Sequence, residues 1–180
     1  DRAENDGIAR KVGAIAGHHH DALRVSDAMP DLAKRHFAGL LSQGPKNAEG
    51  LESILQAFFG AKVKVIEFVG CWLELEPDDR WQMGMPAQLG RTASIGERVW
   101  TRSAKFRLRI GPLSFDDYQR LLPGSGSLER MRAIVRNYVG DALDWDVNLV
   151  LRAGDVPAAK LGETVRLGQI SWIGTTKKNR

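Results

Sequence analysis

Cysteine is almost missing from this sequence. Cys71 is the single thiol among 180 residues, so no disulfide forms within the chain, and this usage fits a reducing compartment. Long apolar runs are also missing: none approaches the roughly 18 residues that a membrane-spanning helix needs. Nothing reads as a basic-then-apolar leader with a cleavage site, and the expectation is a soluble, cytoplasmic chain. Charge of one sign is scarce, with 26 Lys+Arg against 22 Asp+Glu and a formal net charge of +4. That excess falls well short of the dense basic stripe of a dedicated nucleic-acid binder. What is present is ordinary globular composition, 43% hydrophobic and 27% charged, which excludes a mainly disordered chain. At roughly 150 residues per domain the length predicts one domain or two small ones, with a core that needs no disulfide or metal.

The first third reads as helical. Ile8, Val12 and Ile15 recur at helical spacing before Gly17, and a second helix starts after Pro30, carries Leu32, Phe37, Leu40 and Leu41, and ends at Gly44-Pro45. Leu51, Ile54, Leu55, Phe58 and Phe59 form the buried stripe of a third helix, capped by Asn47 and stopped by Gly60. Alternation from Lys62 to Val69 predicts a strand, and Lys105 to Ile110 alternates strictly before Gly111-Pro112 stops it. The stretch from Leu73 to Gln88 reads as irregular. Ser114 is placed to cap a short helix with Asp116 and Asp117 in its first turn, and Ser127 a longer one that runs to Gly140.

That last helix repeats the third. A shift of 80 positions aligns Leu51 with Met131, Ile54 with Ile134, Leu55 with Val135, Phe58 with Tyr138 and Gly60 with Gly140. It continues into the strands, Val63 with Leu143, Val65 with Trp145 and Val69 with Leu149, while Ile66 and Phe68 face Asp146 and Asn148. The first strand is therefore expected to be buried on both faces and the second on one. At a shift of 72, Leu89, Gly90, Ile95, Gly96 and Trp100 match Leu161, Gly162, Leu167, Gly168 and Trp172 in the same order. The reading is an α+β fold in which N-terminal helices (1–46) precede two related helix-strand units (47–113 and 114–180) with mainly antiparallel strands, the second strand among them.

Catalytic chemistry finds no lead, and the chain reads as a non-enzyme without cofactor or metal. His18, His19 and His20 are consecutive, so on a helix they point about 100° apart and cannot converge on one ion. His36 has no carboxylate or cysteine at ligand spacing. Asp144 and Asp146 alternate with Trp145 and Val147, as the solvent face of a strand does, and Cys71 is expected as a buried thiol. Lys105, Arg107 and Arg109 share one strand face, with Arg98 and Arg102 just before them. A solvated strand face explains them, an acidic protein partner is a second option, and a nucleic-acid-binding module on this basic strand is the alternative function.

The phrases Gly44-Pro45-Lys46-Asn47-Ala48-Glu49-Gly50-Leu51-Glu52, Glu67-Phe68-Val69-Gly70-Cys71-Trp72, Ile95-Gly96-Glu97-Arg98-Val99-Trp100, Phe106-Arg107-Leu108-Arg109-Ile110-Gly111-Pro112-Leu113 and Ser171-Trp172-Ile173-Gly174-Thr175 come in a particular order and spacing. In that order they resemble the TssG (ImpH/VasB) family of type VI secretion baseplate subunits, from about Asp6 to Thr175. The resemblance implies a structural role in a phage-tail-like wedge with TssF, TssK and TssE, at the inner face of the bacterial inner membrane. It implies no catalysis, nucleic acid, membrane insertion or small-molecule substrate. The family has a further N-terminal region, so the chain reads as the C-terminal part of such a protein. Apolar surface on the helices carrying Ile8, Val12, Ile15, Phe37 and Leu41 is then expected to be exposed.

Two docking expectations follow. The paired elements Leu89, Gly90, Ile95, Gly96, Trp100 and Leu161, Gly162, Leu167, Gly168, Trp172 would each hold one copy of a repeated partner, TssK, with Trp100 and Trp172 equally readable as core plugs at the base of each unit. Trp81, Met83 and Met85 would make a further loop contact, unless all three fold back onto their own domain.

Overall fold

The computed structural model describes residues 11, 27–84, 86, 88, 96–157 and 168–172. Ile8, Val12, Ile15, His18, His19 and His20 lie outside them. The second expected helix divides at Phe37 into α1 (Asp31–His36) and α2 (Ala38–Ser42). Phe37 turns inward to the core instead of standing exposed, Leu41 packs partly against it, and the exposed side chain here is Leu32. Lys34 is 3% exposed, a burial that hydropathy does not signal. Its ammonium pairs with Asp27 at 3.0 Å and Asp31 at 3.5 Å, and Asn137 donates to Asp27 at 2.7 Å.

Helix α3 (Ala48–Phe59) forms as the stripe predicts. The Asn47 side chain accepts from the Gly50 N–H at 2.8 Å, Leu51, Ile54 and Leu55 are buried, and Gly60 ends the helix at φ 63°. A short helix α4 (Phe115–Arg120) starts from the Ser114 cap, and α5 spans Gly126–Val139. The cap of α5 is Ser125, not Ser127: its hydroxyl accepts from the Leu128 N–H at 3.2 Å. Met131, Ile134, Val135 and Tyr138 meet Leu51, Ile54 and Leu55 in one core that also holds Met29 and Phe37.

The main sheet has the order β1 (Val63–Ile66), β4 (Lys105–Leu113), β5 (Asp144–Leu151). Phe106, Leu108, Ile110 and Leu113 face the core. Strand β4 continues through Gly111-Pro112, where the register with β5 shifts. Gly111 sits at φ 127° with the Val150 carbonyl where a Cβ would stand. β1 pairs with β4 antiparallel, but β5 pairs with β4 parallel, correcting the expectation of antiparallel pairing there. The physical reason is the connection: α4 and α5 carry the chain across before β5, as a parallel neighbour requires.

β1 is an edge strand that ends at Ile66, with Ile66 and Phe68 exposed, so it is not buried on both faces as expected. Its backbone is met by α3: the Val65 N–H donates to the Glu52 carboxylate at 2.8 Å, and Gln56 donates to the Val63 carbonyl at 3.1 Å. These bonds cover groups that an open sheet edge would leave unpaired.

Beyond the sheet, β2 (Cys71–Glu74) and β3 (Arg98–Thr101) form a separate antiparallel ribbon. Neither strand is expected from the sequence pattern. The ribbon prolongs the β1–β4 pair as an arm, bent where Phe68 takes φ 56° and the Val69 N–H donates to the Lys105 carbonyl at 3.0 Å.

Candidate docking surface

A ribbon of two four-residue strands buries little, and isolated two-stranded ribbons are marginal in water. Here the apolar residues stand on both faces. Trp72 pairs directly with Trp100, rings 5.2 Å apart and T-shaped, and Leu73 pairs with Val99 on the other face. All four are exposed, Trp100 by 53%. Trp100 lies so close over Gly70 that a Cβ there would overlap its ring, which explains the glycine in Gly70-Cys71-Trp72. Cys71 is half-buried on this ribbon, not a core thiol. Glu74 and Arg98 pair across the strands at 2.8 Å, and the Arg80 guanidinium donates to the Leu75 carbonyl at 2.9 Å.

The segment joining β2 to β3 holds the remaining loop candidates. Met83 is 96% exposed and Trp81 half-buried, so the three proposed contact residues are not all folded inward. Met85, Leu89, Gly90 and Ile95 lie outside the described residues. So do Leu161, Gly162 and Leu167 of the second element. The matched glycines both take positive φ, 101° at Gly96 and 78° at Gly168, a conformation that L side chains disfavour. Their tryptophans part company. Trp172 is half-buried beside Tyr118, ring centroids 5.8 Å apart, and the Tyr118 hydroxyl donates to the Gln169 carbonyl at 3.1 Å. Burial raises the Tyr118 pKa. Trp100 projects from the arm, whereas Trp172 packs beside α4.

The basic strand is largely engaged within the fold. Asp146 stands beside Arg107 in the β4–β5 register and accepts from it twice, at 2.5 and 2.8 Å, and Lys105 joins at 3.0 Å. The hydrogen bonds from Arg107, helped by Lys105 and opposed by burial, hold the Asp146 carboxyl at about 2. Three of the five cations proposed for nucleic acid thus already have carboxylate partners, Arg98 being the third. Asp146 is a clamp between strands rather than a solvent-facing ornament. His36 is exposed and stacks edge-on against Phe37 at 4.7 Å. Among the described residues, no His, Cys, Asp and Glu gather in a group of three able to hold a metal ion, and no helix is long and apolar enough to cross a membrane.

This is an α+β chain in which several ionic groups are spent on internal clamps while exposed apolar side chains gather on an arm. The family model for type VI secretion TssG matches residues 1–174, and the chain belongs to that family. Its fold is similar to that of a chain in the type VI secretion system TssK-TssF-TssG baseplate subcomplex solved by cryo-electron microscopy. The TM-score is 0.76 at 19% identity, over 98% of this chain and 76% of that one. No curated protein matches the sequence.

Proposed function

We propose that this chain is a non-enzymatic structural subunit of the type VI secretion baseplate wedge. In this reading it joins TssF, holds the TssK adaptor through its two Leu-Gly/Gly/Trp elements, and shares the wedge with TssE at the cytoplasmic face of the inner membrane. Family membership and likeness to a chain of the TssK-TssF-TssG subcomplex support the baseplate role. The observation that carries the docking part is the arm: Trp72 and Trp100 on one face and Leu73 and Val99 on the other are exposed among the described residues. Trp is favoured at the desolvated centres of interfaces, where a few anchors carry most of the binding.

The clamps at Asp146 and Glu74 engage three of the cations that the nucleic-acid reading needs. Co-purification of the chain with TssK and with TssF, each in the absence of the other, tests the proposal. The expected result is a stable complex with each. Failure to retain either partner contradicts it.

A further inference from the structure

At the root of the arm, a cleft of about 180 Å³ opens between the start of α3, the end of α5 and the loops around Phe68 and Arg102. Its walls include Leu51, Val65, Phe106 and Val139, and exposed Phe68 and Leu143 also line it. The hydroxyls and the Lys46 ammonium at it are already engaged within the chain. The Tyr138 hydroxyl donates to the Asn47 carbonyl at 3.1 Å and accepts from the Asn47 N–H at 3.3 Å. The Ser103 and Thr101 hydroxyls bond each other at 3.0 Å, and the Lys46 ammonium donates to the Leu41 carbonyl at 2.5 Å. A polar small molecule would find few unfilled partners there, and the volume is below the roughly 300–1,000 Å³ of cofactor and ligand sites. One large apolar side chain suits the space, as interface anchors do.

Charge narrows the occupant. Lys46, Arg102 and Lys105 line the cleft against one carboxylate, Glu67. Lys105 is paired with Asp146, whereas Arg102 is exposed and has no ion-pair partner among the described residues. The geometry points to this cleft as the seat of a single bulky apolar side chain presented by an acidic segment of a partner protein, its carboxylates meeting Arg102. The site is distinct from the ribbon faces and does not depend on what they hold.

The test is a titration of the isotope-labelled chain, followed by NMR, with the blocked peptide Asp-Glu-Phe-Asp-Glu. The expected result is saturable shifts at Leu51, Val65, Phe106 and Tyr138, with a Kd of about 1 mM or tighter. Replacing the peptide's Phe by Ser, or its acids by Lys, should abolish those shifts. Arg102→Glu, an exposed change, should weaken binding about five- to tenfold while the rest of the spectrum stays native. Leu143→Ser at the cleft should weaken it by a factor that stays the same at low and high salt, because only an apolar contact is lost. Equal shifts with the basic peptide, saturation at other residues, undiminished affinity in folded Arg102→Glu, or no saturable shift would each overturn the inference.

Discussion

The two helix-glycine-strand units share a local grammar and differ in what the sheet makes of it. Both helices have a polar N-cap, Asn47 or Ser125, and both bury one stripe in the same core. Each closes on a glycine whose N–H donates to the carbonyl four residues back at 2.9 Å, Gln56 or Arg136. The strands then diverge. β1 is a short antiparallel edge sealed by Glu52, whereas β5 is twice as long, runs parallel to β4 and is clamped through Asp146. Local sequence sets helix, cap and stop, while strand direction depends on how the chain reaches the sheet.

The largest effect should come from testing whether the units are energetically separate. Leu55 and Ile134 are both fully buried in one cluster. Leu55→Asp and Ile134→Asp should each unfold the whole chain, because an unpaired charge in that core costs several kcal/mol. Circular dichroism with hydrogen exchange checks this. Survival of protected amides in β5 of the Leu55→Asp chain would mean that the first unit is dispensable.

Next is Gly50→Ala, since a Cβ there would overlap the Tyr138 hydroxyl and crowd the Asn47 side chain. Destabilisation of about 1–3 kcal/mol is expected in urea unfolding, despite alanine's better helix propensity. The stop glycines sharpen the comparison. A methyl group would meet open space at either, but Gly60 sits at φ 63°, ψ 21° and Gly140 at φ 83°, ψ −161°. Gly60→Ala should cost about 1 kcal/mol and Gly140→Ala about 2–3 kcal/mol, because the second backbone conformation is essentially reserved for glycine. Equal costs would remove the distinction.

The smallest effect is acid sensitivity. The Asp146 carboxyl titrates at about 2 in the fold, below its ordinary value of 3.8. Its stabilisation is therefore fully present above about pH 4 and lost as pH falls toward 2. Asp146→Asn should flatten that part of the pH dependence of the urea midpoint. Asp27 titrates low as well: burial raises it, but the hydrogen bond from Asn137 and the contact with Lys34 outweigh that. Some acid dependence should thus remain in the variant.

The same divide governs what the sequence made legible. Helices α3 and α5, the Asn47 and Ser114 caps and the alternating core face of β4 all follow from periodicity within a short window. The ribbon escaped because Cys71–Glu74 and Arg98–Thr101 are apolar on both faces and pair only with each other, leaving no alternation to find. The parallel β5, the buried Lys34 and the Asp146 clamp depend on residues distant in sequence. Of the two ribbon tryptophans, the matched spacing picks out Trp100 but not its cross-strand partner Trp72.

The proposal that the two Leu-Gly/Gly/Trp elements each hold a copy of TssK predicts how capture responds to paired variants. Ile95→Asp and Leu167→Asp should be made singly and together, with folding followed by circular dichroism. Each single change should leave partial TssK capture, and the folded double variant should retain none. Undiminished capture by the folded double variant would contradict the account.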